Sequence, residues 1–178
     1  MDEYREATGM PAKVLVVWES KHGSTADISY SIAGVLRQHG LRVMLADAAK
    51  SIPDDPFDAY VVGSAVYAGH WMKHVKQFVH DRSEALKAGR VWLFSSGPVG
   101  DPLAPAEAPV DVTTMIAESG ARQHMIFGGN LDRSKLSFPE RAIMSALRAP
   151  QGDFRDWTAI SSWAEEIAHS LTHKEARA

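Results

Sequence analysis

The chain has 178 residues, 45% of them hydrophobic and 23% charged, and its 19 basic and 22 acidic side chains give a formal net charge of −3. That length holds one full core and is too short for two ordinary domains, and the near balance of charge excludes the basic footprint of a nucleic-acid binder. Cysteine is absent, so disulfides, thiolate metal sites and thiol nucleophiles are excluded and any redox chemistry must come from a bound cofactor.

Residues 1–12 read as a flexible N-terminal segment: Met1-Asp2-Glu3-Tyr4-Arg5-Glu6 has no apolar core of the signal-peptide kind. The domain proper is expected over 13–172, with 173–178 as a polar tail. No later apolar run reaches the length of a membrane span, so the expected location is cytoplasmic.

Val14-Leu15-Val16-Val17-Trp18 is a continuous apolar run, as a strand covered on both faces requires. It leads into Ser20-Lys21-His22-Gly23-Ser24-Thr25, after which Ile28, Ile32, Val35 and Leu36 mark one stripe of a helix that Gly40 ends. A turn of this kind aims backbone N–H groups and the positive end of the helix dipole at one point, and Ser20, Ser24 and Thr25 add hydroxyls. That combination suits a phosphate. The loop is neither G-x-x-x-x-G-K-[ST] nor G-x-G-x-x-G, so a single phosphate monoester fits it better than a nucleoside triphosphate or a dinucleotide. The alternative is an ordinary polar connection, because Gly, Ser and Thr are common turn and cap residues.

Leu41 to Leu45 is a second strand, and Pro53-Asp54-Asp55-Pro56 breaks the chain before a third at Ala59 to Val62. The loop Gly63-Ser64-Ala65-Val66-Tyr67-Ala68-Gly69-His70-Trp71 leaves that strand, and Trp71, Val75, Phe78 and Val79 mark the helix after it. Val91 to Phe94 is a fourth strand, left by Ser95-Ser96-Gly97-Pro98-Val99-Gly100-Asp101, and a weaker helical pattern from Val110 to Ser119 precedes a fifth strand at His124 to Phe127. Ser137-Phe138-Pro139-Glu140 reads as a capping box opening a short amphipathic helix, with Phe138, Ala142, Ile143 and Leu147 expected on one face. In the final helix Trp157, Ile160, Trp163, Ala164, Ile167 and Leu171 recur at intervals of three and four, a core-facing stripe. Five strands joined by right-handed crossovers make a doubly wound α/β sheet in three layers, its ligand crevice at the carboxyl ends of the strands.

The first loop resembles that of the flavodoxin superfamily, which reads S/T-x-T-G-x-T around the phosphate of flavin mononucleotide (FMN), with His22 here where the family more often has threonine. The resemblance implies a five-stranded parallel sheet of order 2-1-3-4-5 and FMN as cofactor. The two later loops would then flank the isoalloxazine: Ser64, Ala65, Val66, Tyr67, Gly69 and His70 from one, Ser95, Ser96, Gly97, Pro98, Val99 and Gly100 from the other. Small residues let backbone approach a flat ring, and backbone N–H groups can bond its polar edges. Tyr67, His70 and Trp71 are candidates to pack beside it; each could instead fill a helix–sheet junction.

Within the superfamily, Gly63 to His70 looks like the G-[AS]-x-[IV]-x-x-G-H segment of bacterial menaquinone-dependent protoporphyrinogen oxidases, and Gly128-Gly129 and Asp156-Trp157 match that family's layout. Three features depart from it: Tyr67-Ala68 replaces the usual Arg-Tyr pair, the Ser95 loop differs, and Asn130 to Asp156 is shorter than the family's basic insertion. The resemblance implies an FMN-dependent oxidoreductase acting between a small reduced organic substrate, with protoporphyrinogen as one candidate, and a quinone-type acceptor. A flavodoxin-like carrier between protein partners and a flavin-free interaction module are the alternatives. His70 is the candidate proton-handling residue, since histidine titrates near neutrality; otherwise it bonds only its own loop. His70, His74 and His80 are too loosely placed for a zinc site. In the 130–156 segment Phe138, Ile143 and Leu147 could wall the substrate entrance, and Arg133, Lys135, Arg141 and Arg148 could face an anionic substrate or a membrane surface; the alternative is a helix that only packs on its own domain as a connection.

Overall fold

Neighbouring side chains of a strand point to opposite faces, and in the first strand every one of them is apolar, so both faces of the sheet must be covered. The computed structural model, which describes residues 10–99 and 107–172, shows how this is done. From β1 (Lys13–Glu19), Val14 and Val16 join a core with Ile28, Ile32 and Leu36 of α1 (Ser24–Gln38) and Ile160, Trp163 and Ile167 of α6 (Trp157–Thr172). Leu15 and Val17 join the other core, with Val75, Phe78 and Val79 of α2 (Lys73–Asp81), Leu86 of α3 (Ser83–Ala88) and Val112 and Met115 of α4 (Val112–Ser119). Two apolar faces thus make a three-layer sandwich.

The parallel order is β2 (Arg42–Asp47), β1, β3 (Ala59–Tyr67), β5 (Arg90–Ser96), β6 (Gln123–Phe127), the order that the resemblance implies. A sixth strand was not expected. β3 runs on to Tyr67 and turns through Ala68 (φ 50°) and Gly69 (φ 80°) into β4 (His70–Trp71), pairing Tyr67 with His70 and Val66 with Trp71. Residues read as loop from Gly63 onward therefore begin as strand. Two successive positive-φ residues make the tight turn that a hairpin twist favours, a signal carried by Ala68-Gly69 only weakly, since alanine seldom adopts it.

A second, two-stranded antiparallel sheet follows β6, formed by β7 (Asn130–Leu131) and β8 (Gly152–Asp153). Between them lie a 3₁₀ turn at Arg133–Lys135 and α5 (Phe138–Ala146), opened by the expected capping box. Trp157 departs from the expected stripe: it is 42% exposed, with the Arg155 guanidinium 4.6 Å above its ring, because it stands at the helix start beyond the sheet. Residues 1–9 of the N-terminal segment assigned to 1–12, and the whole of the tail at 173–178, lie outside the described residues.

Candidate functional site

At the carboxyl ends of β1, β3 and β5 a cleft of ≈ 140 Å³ opens. Its lining includes Ser20, Lys21, His22, Ser24 and Thr25 at the first loop, Ala65, Val66 and Tyr67 of β3, Ser96 at the end of β5, and Gly97 and Val99 after it. These expected residues come together. Gly23 shapes the first loop without lining the cleft: its φ is +94°, its N–H donates to Ser20 Oγ at 3.0 Å, and its carbonyl accepts the Asp27 N–H that begins α1. A Cβ at Gly23 would meet open space, so the glycine is required by its left-handed backbone rather than by crowding.

Other expected residues are placed elsewhere. Ser64 is fully buried, donates to the Ala65 carbonyl and accepts the Met72 N–H at 2.9 Å. Gly69 and His70 form the hairpin tip and its return; His70 Nδ1 faces Asp111 at 3.2 Å with a side chain 54% exposed. Pro98 is buried and its carbonyl accepts the Gly129 N–H at 2.7 Å, and Gly100 lies outside the described residues. Trp71 is buried, and its indole N–H donates to Ser95 Oγ at 2.8 Å. The Ser95 hydroxyl, 2.8 Å from His124 Nε2, then has its own proton left to donate there, which requires neutral imidazole. Burial lowers the His124 pKa, in keeping with that role. Ser95, Trp71 and His124 are thus a hydrogen-bonded chain in which Trp71 and Ser95 are buried and His124 is half-buried.

Two hydroxyls of lining residues are not satisfied. Thr25 Oγ1 and Ser96 Oγ are buried without a hydrogen-bond partner, although both residues line the opening. A buried polar group lacking a partner costs about 1–3 kcal/mol, so each is an open position for a polar ligand: Thr25 where a phosphate would meet the first loop, Ser96 beside the backbone after β5. Backbone approach is close here as well. A Cβ at Gly129 would stand 3.1 Å from Gly97 Cα, so a side chain there would push the Gly97 backbone aside by a few tenths of an ångström. Val66, Val99, Leu131, Leu136 and Met144 supply an apolar wall. One unpartnered hydroxyl at the first loop, a second at the end of β5, small residues and an apolar wall: this donor set fits a phosphorylated flat heterocycle.

Six lining residues come from beyond β6: Gly129, Asn130, Leu131, Leu136, Glu140 and Met144. Glu140 carries the most chemistry. Lys21 Nζ lies 2.7 Å and His22 Nε2 3.3 Å from its Oε1, while the Ser137 N–H and hydroxyl both donate to Oε2 at 2.8 Å. The Lys21 ammonium above all, then Ser137, holds the Glu140 carboxyl at about 2, and the same pairing raises the Lys21 pKa. Lys21 also sits 3.5 Å from the Tyr67 ring centroid, a cation–π contact on the ring. In the sequence Glu140 was visible only as a capping residue.

The expected entrance wall is not what α5 presents. Phe138 (81% exposed), Ile143 and Leu147 turn to solvent, and Leu136, Glu140 and Met144 face the cleft. The reason is helical phase: at 100° per residue Glu140 and Met144 share a side that Phe138 does not. Lys135, Arg141 and Arg148 are exposed, whereas Arg133 is half-buried with its Nε unpartnered. His70, His74 and His80 each face a different carboxylate, Asp111, Glu19 and Glu118.

A family model described as flavodoxin domain matches residues 15–158. Among solved structures, a flavodoxin from the domain Archaea aligns over 90% of this chain and 99% of its own at 16% identity, with a TM-score of 0.59. Oxidised flavodoxin 1 from Bacillus cereus aligns over 90% of this chain and all (100%) of its own at 14% identity and a TM-score of 0.60. The rubredoxin oxygen:oxidoreductase of Desulfovibrio gigas is matched by 99% of this chain over 40% of its length, at 16% identity and a TM-score of 0.63. No curated protein matches the chain. None of these likenesses supports the resemblance to the protoporphyrinogen oxidases, which rests on Gly63 to His70, Gly128-Gly129 and Asp156-Trp157 alone.

Proposed function

Because the chain belongs to the flavodoxin domain family, an FMN-binding family of electron-transfer proteins, we propose that it is an FMN-dependent oxidoreductase passing electrons between a small reduced organic substrate and a quinone-type acceptor. Bound FMN supplies a ring that accepts and returns one or two electrons, which a cysteine-free chain needs from a cofactor. The observation that carries the reading is the joining in one cleft of the unpartnered Thr25 and Ser96 hydroxyls with the apolar wall of Val66, Val99, Leu131, Leu136 and Met144. Ser20 to Thr25 hold the phosphate; Tyr67, Ser96, Gly97 and Val99 border the ring; the 130–156 segment covers it.

That segment supports a small-molecule substrate over a protein one, since it places Leu136, Glu140 and Met144 across the opening. Outside, Phe138, Ile143 and Leu147 are exposed beside Lys135, Arg141 and Arg148, a pattern suited to an anionic membrane surface where a quinone resides. No helix among the described residues is long and apolar enough to cross a membrane, so the contact is peripheral. The carrier reading is favoured by one observation: Tyr67 is 42% exposed at the cleft mouth, within reach of a protein partner.

Anaerobic photoreduction of the FMN-loaded protein, followed by reoxidation with a panel of quinones and by exposure to protoporphyrinogen, separates the two. Rapid two-electron reoxidation by quinone supports the oxidoreductase, with porphyrinogen turnover naming the substrate; slow reoxidation by every quinone alongside fast exchange with one-electron protein acceptors supports the carrier. Reversing Lys135 and Arg141 to Glu is expected to leave FMN affinity unchanged and to abolish binding to phosphatidylserine vesicles at low salt.

A further inference from the structure

Residues 130–156 cross the cleft as a strap that is tied at both ends. At one end the Asn130 N–H meets Ser24 Oγ at 3.2 Å; at the other Arg155, with a side chain only 8% exposed, bonds Asp153 through two nitrogens at 2.6 and 2.7 Å and Asp27 at 2.8 Å. Between those ties the strap bears on the domain through Leu136, Glu140 and Met144, while Phe138, Ile143 and Leu147 bury little. Little apolar area therefore opposes lifting of α5, and the charged contact at its centre decides whether it lies down.

We propose that the Lys21–Glu140 ion pair is a latch: it fastens α5 across the cleft and has to open before FMN enters. The inference rests on the FMN reading above. Three observations carry it. The cleft holds ≈ 140 Å³, below the roughly 300–1,000 Å³ of sites for ligands of that size, so a wider opening favours loading. The groups that narrow it are the latch itself, because the Lys21 ammonium occupies the Tyr67 ring at 3.5 Å and Glu140 at 2.7 Å simultaneously. Finally, Glu140 is bound to the start of its own helix by Ser137, so that moving the carboxylate moves α5 with it.

The test follows FMN association with the flavin-free protein by stopped-flow quenching of flavin fluorescence, together with hydrogen exchange of amides 136–147, in wild type, Glu140→Gln and Lys21→Met. Glu140→Gln is expected to associate roughly tenfold faster, the scale of one lost charge-assisted contact, and both variants are expected to exchange faster in α5. Lys21→Met serves where Glu140→Gln fails to fold, with circular dichroism as the check. Wild-type association rates in a folded variant, whether or not α5 exchanges faster, overturn the latch and leave the FMN reading standing. Absence of any FMN binding by the wild type overturns the functional reading and the latch with it.

Discussion

The loop at residues 20–25 closes on itself, whereas the wall opposite is held by partners more than a hundred positions away in sequence. In the loop the defining bonds are Gly23 N–H to Ser20 Oγ and Asp27 N–H to the Gly23 carbonyl, three and four residues apart. Across the cleft they are His22 to Glu140 at a separation of 118, Asn130 to Ser24 at 106 and Arg155 to Asp27 at 128. Short-range bonds persist whenever β1 and α1 form; long-range ones exist only in the finished fold and are lost first when it opens. One cleft thus has one wall built by local contacts and one built by distant contacts, the division on which the proposed latch depends.

The largest test of that contrast is Gly23→Val. A branched side chain at φ +94° is strained by about 1–3 kcal/mol, so FMN affinity is expected to fall roughly 10- to 100-fold by calorimetric titration; unchanged affinity would remove the locally built wall from the account. Thr25→Val comes next and has opposite signs in the two states. Removing a buried, unpartnered hydroxyl is expected to raise the unfolding free energy of the flavin-free protein by about 1 kcal/mol and to lower FMN affinity by about tenfold. If both move in the same direction, Thr25 is not a ligand position.

Arg155→Ala sharpens the side built by distant contacts. Its partners Asp27 and Asp153 have side chains 61% and 42% exposed and can turn to water, so the expected loss of global stability is only about 1 kcal/mol, while hydrogen exchange across 130–156 quickens and the β1–α1 loop is unaffected. Slower exchange in the strap, or equal acceleration on both sides, would contradict the division.

The smallest effect is with pH. The Glu140 carboxyl is held at about 2 against an ordinary 4.5, first by Lys21 and then by Ser137. Its pKa is depressed in the folded state, so its contribution is fully present above 4.5 and is lost as pH falls toward 2. Wild type is expected to lose thermal stability faster than Glu140→Gln over that interval, and in parallel with it above 4.5. His124 adds a separate slope: its lowered pKa means the unfolded chain takes up its proton first, so stability falls as pH drops below 6.5.

The sheet, its compatibility with helices on both faces, and the Ser20–Thr25 side of the cleft were legible in the sequence because each depends on local pattern. Alternation along Val14 to Val17 sets two buried faces, and the string from Ser20 to Thr25 needs only its own strand and helix to form one wall of the cleft. What tertiary structure decided is which residues after β3 and β5 turn inward and what lies opposite. Pleat alternation sends Ser64 and Ser95 into buried hydrogen bonds while Ala65 and Ser96 reach the cleft, and the difference of one residue in register is set by pairing with neighbouring strands. Glu140 shows the limit most clearly. A capping box explains its bond to Ser137, three positions away, but its meeting with Lys21 is made by the path of the whole chain between them, and no local pattern encodes a contact that only the folded sheet brings within reach.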